Sequence, residues 1–317
     1  MAARGNLAVY LKYSGAHTTR WAGGDKVNWQ NFPNRGDQRI RKAIHVRGTG
    51  HYIFAPDLSQ IECRILNYIA GQNDVIEKFR NHVDPYIGIA SDFYGFPVTK
   101  DHPLERGTGK QLELSAGYGC GAARCQIVAK LGIYGPPVEI SLSEAQRAID
   151  LYRGTHKHVT ALWEAGSWVL RLLANGQEMP GWDLVPVRVS DGCVWLPNGA
   201  PLIYDTMEWF IDEQNEDRYW RVKTKHGGWT KMYGAKFIEN IVQALARVVM
   251  SQAMVRLARA GFRPVNTEHD KLVYLIKDDG GKQEAVDYCL REMTRAPDWL
   301  PGIPLDAEGQ LAETYAA

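Results

Sequence analysis

The chain has 317 residues, 45% of them apolar, with 37 basic against 36 acidic side chains and a net charge of +1. That length and apolar share allow a substantial core and about two domains, while the near-neutral balance excludes a generally basic coat, so any phosphate-binding surface has to be local. No run reads as long and apolar enough to cross a bilayer, the N-terminus has no hydrophobic signal core, and five cysteines without a Cys-x2-Cys pair suit reduced thiols rather than a disulfide framework.

The first strong strand signal is His51–Ala55, followed at once by Asp57-Leu58-Ser59-Gln60-Ile61-Glu62. Ser59 is placed to cap a helix whose apolar positions Ile61, Ile65, Leu66 and Ile69 recur at helical spacing and end before Gly71. Further on, Arg106, Lys110, Leu114 and Tyr118 recur every fourth residue, which puts them on one slowly drifting helical stripe. Gly107, Gly109 and Gly117 weaken that helix by up to roughly 1 kcal/mol each, a cost expected where a substrate approaches the backbone closely. Ser143–Gly176 reads as two helices, the second carrying Val159, Leu162, Trp163, Val169, Leu170 and Leu173 on one side. Cys193–Tyr204 reads as a hairpin turning at Pro197-Asn198-Gly199. The segment 205–233 is polar and aromatic, an elaborated loop or extra hairpin. A long helix from about Gly234 to Ala260 turns Ile238, Ile241, Val242, Leu245, Val249, Ala253 and Leu257 inward and stops at Gly261. Thr267-Glu268-His269-Asp270 then leads into a strand-like run, Leu272–Ile276.

Two carboxylates, Asp57 and Asp270, thus lie next to strand-like runs with a cationic helix between them in sequence, an order that suits metal-dependent phosphoryl transfer. Taken singly, each has an ordinary explanation: Asp57 near a helix start favours the helix dipole, Asp270 opens a turn, and the cationic stripe is a solvated helix face. Gly107-Thr108-Gly109-Lys110 is not a phosphate-binding P-loop, because Gln111 follows the lysine and Leu104 stands where the first glycine belongs.

With these segments in this order, the chain resembles the family A DNA polymerases. Asp57-x-Ser-Gln-Ile-Glu62-x-Arg64 is similar to the family's motif A, Arg106-x3-Lys110-x7-Tyr118-Gly119 to motif B, and His269-Asp270 to motif C; Thr19-Arg20 and the segment Asn28–Arg35 resemble stretches upstream of motif A. The resemblance implies an α+β fold, a palm with an antiparallel β-sheet plus helical fingers, with thumb and exonuclease domains absent. It implies palm at residues 1–73, fingers at 74–185 and the second part of the palm at 186–317. The implied activity is template-directed transfer of nucleotides from deoxynucleoside triphosphates to a primer 3′ end in replication, with a phage as the preferred origin and the cytoplasm, the host's in that case, as the location. Two Mg²⁺ ions, with Mn²⁺ as a substitute, would be held by Asp57, Asp270 and the Leu58 carbonyl, and Lys110 would be the general acid.

Carried over position by position, Gln60, Glu62, Arg106, Lys110, Leu114 and Tyr118 become nucleotide contacts, and Arg20, Asn31, Arg35, Asn240, Gln243 and His269 become DNA contacts. Glu62 would close the sugar pocket against a 2′ hydroxyl, although Ser59-x-x-Glu62 by itself also fits a capping box. The implied partners are primer–template DNA, deoxynucleoside triphosphates and a separate polypeptide supplying thumb and exonuclease, with no membrane. The alternative is a noncatalytic primer–template-binding subunit or an inactive fragment of a split polymerase; a two-metal nuclease leaves the Arg106–Lys110–Tyr118 stripe unexplained. Departures from the family pattern are Leu114-Ser115 in place of Phe-Gly, Lys271 in place of the acid after His-Asp, Thr19 in place of glycine, and Val248 in place of an aspartate in the long helix.

Overall fold

The computed structural model describes residues 8–24, 28–32, 37–213, 216–224 and 227–315. A small hairpin of β1 (Leu11–Lys12) and β2 (Ala22–Gly23) precedes a 3-10 turn at Trp29–Asn31 and helix α1 (Arg39–Ala43). Strands β3 (His51–Phe54) and β4 (Asp57–Leu58) run into α2 (Ile61–Ala70), which ends at Gly71 with φ +71°, as its periodicity predicts. Helices α3 (Asn73–Arg80), α4 (Pro85–Tyr94), α5 (Pro103–Ala116), α6 (Ala122–Leu131), α7 (Leu142–Thr155) and α8 (Lys157–Ala174) follow. Strands β5 (Arg188–Ser190), β6 (Cys193–Trp195) and β7 (Pro201–Ile203) form one antiparallel sheet, and β8 (Met207–Asp212), β9 (Asp217–Lys223) and β10 (Trp229–Met232) form another. The chain continues through α9 (Gly234–Arg259), β11 (Asn266–Glu268), β12 (Lys271–Lys277), α10 (Lys282–Met293), β13 (Ala307–Glu308) and β14 (Leu311–Ala312). The 205–233 segment is therefore a three-stranded sheet, one strand more than a hairpin supplies.

By packing, the chain divides into a discontinuous unit, residues 1–61 with 243–317, and a continuous one, residues 62–242. The discontinuous unit is built on an antiparallel sheet in the order β13-β4-β12-β3-β14, with β11 also pairing β12. Strand side chains alternate across its two faces: Phe54, Leu58, Leu272, Tyr274 and Ile276 are buried, while Ile53, Val273 and Tyr315 form a cluster with Ile44, Val46 and Ala55. Helix α10 buries Val286, Cys289 and Met293 and is tied to α9 by Arg256, which donates from Nε to Glu292 Oε2 at 3.0 Å and from its terminal nitrogen to the Glu292 carbonyl at 2.7 Å.

A buried ion pair braces this unit. Both terminal nitrogens of Arg41 donate to Glu268, one of them to Oε2 at 3.1 Å, and the same guanidinium donates to the Phe32 carbonyl at 2.8 Å. Tyr315 adds its hydroxyl to Glu268 Oε2 at 2.5 Å and lies 4.8 Å from the Arg41 guanidinium by its ring. The network joins α1, the end of β11 and the segment after β14, and it sits one residue before His269.

The continuous unit is mainly helical. Helix α7 starts with a complete Ser141–Glu144 capping box, and α8 buries Val159, Leu162, Val169, Leu170 and Leu173 as its spacing predicts. The hairpin turn at Gly199, φ +78°, closes where Pro197-Asn198-Gly199 predicts it. Helix α9, which spans the packing boundary, corrects one expectation: by length and mean hydropathy, 1.3 over eighteen residues, it is long and apolar enough to cross a membrane. However, 61% of that window is buried inside the fold, and Ile238, Ile241, Val242, Leu245, Val249, Ala253 and Leu257 are core residues. All five cysteines are free thiols.

Truncating Glu268 to alanine strands the Arg41 charge in the interior. Glu268→Ala is expected to lower unfolding free energy by about 3–5 kcal/mol, measured by urea titration, whereas Tyr315→Phe, which removes one hydrogen bond to a charged group, costs about 1.5–3 kcal/mol.

Candidate active site

The sheet brings the two carboxylates of the discontinuous unit together. Asp57 on β4 is the Cα partner of Lys271 on β12 and of Glu308 on β13, and the Leu58 amide donates to the Asp270 carbonyl at 3.2 Å. Asp270 is the second residue of the two-residue turn between β11 and β12, and His269 before it has φ +54°. Gln60, two residues past the end of β4, has φ +55°. Left-handed backbone at a non-glycine residue costs on the order of 1 kcal/mol or more and collects at functional sites; one such position adjoins Asp270 and the other lies three residues after Asp57.

Burial, then the charge of Asp270, push the Asp57 carboxyl up to about 7; Lys271 pulls the other way, and Glu308 and Glu268 add to the rise. Burial also raises Asp270, against the pull of its own amide and of Arg20, His269 and Lys271. One Asp57 oxygen, Oδ1, is buried with no hydrogen-bond partner among the described residues. A desolvated oxygen without a donor, and a neighbouring carboxylate that resists ionisation beside it, are what a hard divalent cation would satisfy. Among the described residues no three His, Cys, Asp or Glu side chains form a ready metal cluster, so a cation here would draw on two carboxylates, the Leu58 carbonyl and substrate oxygens.

In the continuous unit, motif B forms α5 and the turn after it. From residue 106 to 118, every residue is buried except Arg106, Lys110, Leu114 and Tyr118; the sequence stripe is the open face of the helix, although Tyr118 lies two residues past its end. Arg106 is ion-paired with Asp84, its Nε and a terminal nitrogen lying 2.7 and 2.6 Å from Oδ2, while Asp84 caps α4 by accepting from the Tyr86 amide at 3.0 Å. The glycines correct a second expectation, because the protein itself packs against them. A Cβ on Gly109 would lie 2.0 Å from the Tyr86 carbonyl oxygen, and one on Gly107 would lie 2.6 Å from Pro136.

Beneath this face is a buried group that the sequence reading did not single out. Glu113 Oε1 accepts from the Cys63 thiol at 3.4 Å and lies 3.6 Å from His156 Nε2, and the His156 ring stacks on Tyr152 at 4.0 Å. Trp163 donates to the Gly117 carbonyl at 3.0 Å. These contacts tie α5 to α2 and to the α7–α8 corner; a glutamate in the midst of a glycine-rich helix was the only signal for them.

The remaining candidates fall into different surroundings. Arg20 is close enough to Asp270 to stabilise its charge, His269 is exposed beside it, Gln243 is half-buried on α9, and Asn31 is exposed at the end of the 3-10 turn. Glu62 is half-buried in the first turn of α2. Asn240 is buried and donates to the Tyr204 hydroxyl at 2.9 Å, holding α9 to the strand end after β7. Arg35 lies outside the described residues.

Two measurements test this geometry. The raised Asp57 carboxyl favours folding fully below about pH 4, its unfolded value, and that contribution is lost as pH rises through about 7. Without divalent cation, Asp57→Asn should therefore melt above the parent at pH 8, with the gap closing by pH 4; added Mg²⁺ should raise the parent's midpoint more than the variant's. Gly109→Ala should destabilise by about 1–3 kcal/mol through overpacking, read as a lower denaturation midpoint.

Known proteins resemble this chain along nearly its whole length. The DNA polymerase of Bacillus phage SP02 is 26% identical over 96% of this chain and 51% of its own length. The thermostable DNA polymerase I of Thermus aquaticus is 29% identical, and that of one Thermus thermophilus strain 34% identical, each over 98% of this chain and 32% of its own length. The chain thus spans about half of the phage relative and about a third of the bacterial ones. The fold superposes, with a TM-score of 0.71 and 20% identity, on the POL domain of Pol1 from M. smegmatis in complex with DNA primer-template and dNTP, covering all of this chain and 49% of that one. The model of DNA polymerase family A matches residues 5–168, just over half of the sequence, and the chain belongs to that family.

Proposed function

We propose that this chain is the catalytic core of a template-directed DNA polymerase, with palm at residues 1–73 and 186–317 and fingers at 74–185. The observation that carries the reading is the register that sets Asp57 beside Lys271 and Asp270, while between residues 106 and 118 only Arg106, Lys110, Leu114 and Tyr118 are left unburied. In the reaction, a primer 3′ oxygen bonds to the α-phosphorus of a deoxynucleoside triphosphate and the bond to pyrophosphate breaks. Two Mg²⁺ ions held by Asp57, Asp270 and the Leu58 carbonyl would lower the primer hydroxyl's pKa and neutralise the leaving oxygens. Lys110 donates a proton to the leaving pyrophosphate oxygen and offsets its charge. Arg106 exchanges Asp84 for the triphosphate, Gln60 and Leu114 border the nucleotide, and Glu62 with Tyr118 closes the sugar pocket against a 2′ hydroxyl. Arg20, His269 and Gln243 hold the primer–template, with Asn31 and Arg35 supporting the strands and Asn240 acting through its tie to Tyr204. A phage enzyme of this kind would work in the host cytoplasm.

Primer extension on a labelled hairpin, at low salt with Mg²⁺ and four deoxynucleotides, is the test. Asp57→Ala and Asp270→Ala should abolish extension by a parent that extends, and Lys110→Ala should lower kcat by about 10²–10⁴-fold. DNA binding without nucleotide consumption by the folded parent would instead identify a binding subunit.

A further inference from the structure

We propose that Lys271 anchors the last phosphodiester of the primer strand in a cleft beside Asp57, an assignment that rests on the polymerase reading above. The sheet register makes Glu308, Asp57 and Lys271 Cα partners across three neighbouring strands, so their side chains leave the same face. Ala55 lies on that face too, two residues from Asp57, whereas Phe54 and Leu58 point into the core with 0% and 1% exposure. On this face a cleft of about 410 Å³ is lined by Ala55, Asp57, Lys271, Glu308, Gln310 and Thr314 among others, a size within the range of ligand sites, about 300–1,000 Å³.

Lys271 is half-buried at the cleft wall, and among the described residues it has no carboxylate within 4 Å. A lysine opposite Asp57 and close to Asp270 and Glu308, yet paired with none of them, leaves its ammonium for a ligand. That ligand has to be an anion able to come within reach of three carboxylates. A triphosphate already has its charges matched in the reading above, by the Mg²⁺ ions that Asp57 and Asp270 would hold and by Arg106 and Lys110. A phosphodiester brings one charge per linkage, which one ammonium matches, and Gln310 and Thr314 can serve its sugar and ester oxygens. The 3′ hydroxyl that Asp57 must face lies one sugar from that linkage, so the primer strand, not the template, is the occupant.

The test is equilibrium binding of a fluorescent primer–template, without nucleotide and with EDTA, over a series of KCl concentrations, for the parent, Lys271→Gln and Lys271→Arg. Losing one phosphate contact should reduce the slope of log K against log salt by about 0.9 in Lys271→Gln, and Lys271→Arg should keep the parental slope. A primer with an uncharged methylphosphonate at its last linkage should lower the parent's slope by the same amount and leave that of Lys271→Gln unchanged. Thermal midpoints establish that the variants fold, and the methylphosphonate primer on the parent keeps the test decisive if the glutamine variant does not, an unchanged parental slope overturning the inference. An unchanged slope in folded Lys271→Gln overturns the inference, as does an effect seen only in the KM for nucleotide, which would turn the lysine toward the triphosphate. Either result leaves the polymerase reading standing if the parent extends primers; a parent that neither binds primer–template nor extends it removes both.

Discussion

The pairing of β4 with β12 is the constraint on which the candidate site depends. A strand's side chains alternate between faces, so a slip of one residue at Asp57–Lys271 would send Asp57 into the core and Leu58 into the cleft. Two carboxylates that resist ionisation do not choose that register for themselves; their neighbours hold it. Leu58 reaches across to the Asp270 carbonyl, β13 closes the other side of β4 at Leu58 and Asp57, and the Arg41–Glu268–Tyr315 network fixes β11 immediately before the turn. The apolar sheet face then makes any alternative register expensive, because Phe54, Leu58 and Leu272 would all leave the core.

Helix α5 solves a related problem in the other packing unit. Its close-packed sides include Gly107 and Gly109, which let α4 and the Pro136 segment approach nearly backbone to backbone. The polar contacts beneath, from Glu113 to Cys63 and His156, fix rotation of the helix about its axis. Rotation matters here, since from Arg106 to Tyr118 every fourth residue is the one left unburied.

Much of this is legible in the sequence. Apolar spacing located α2, α8 and α9, and glycines at left-handed positions, Gly71, Gly199 and Gly261, marked their ends or turns. Motif spacing named the carboxylates because a two-residue turn and a short strand leave little freedom for where Asp270 and Asp57 can lie. The role of the motif B glycines was not legible, since their neighbours Tyr86 and Pro136 are about twenty to thirty residues away in sequence and a close approach by protein looks, in one dimension, like one by substrate. The sequence reading also missed that α9 is long and apolar enough to cross a membrane, its apolar positions being largely core residues. Two departures from the family pattern now have physical readings. Val248 is fully buried, so an aspartate there would bring a charge into this core, and Thr19 has φ +59°, the backbone that explains why a glycine suits that position. Glu308 and Tyr315 carry no motif at all; only the sheet order brings them to the site.

The discontinuity of the sheet-bearing unit has a kinetic meaning. Strand β3 finds its partner β12 across roughly 220 intervening residues, so the two carboxylates are far apart until most of the chain has been organised. Loop-closure entropy grows only slowly with length, about 0.6 kcal/mol per doubling, so the equilibrium penalty is modest. The search is another matter: pairings of high sequence separation form slowly. The continuous segment 62–242 has its own helical core to collapse upon, and its early folding would shorten the span that β3 and β12 must close. The order of events would then run from the cation-bearing helix to the carboxylates, and chains halted midway would carry a formed motif B with no acid pair to serve.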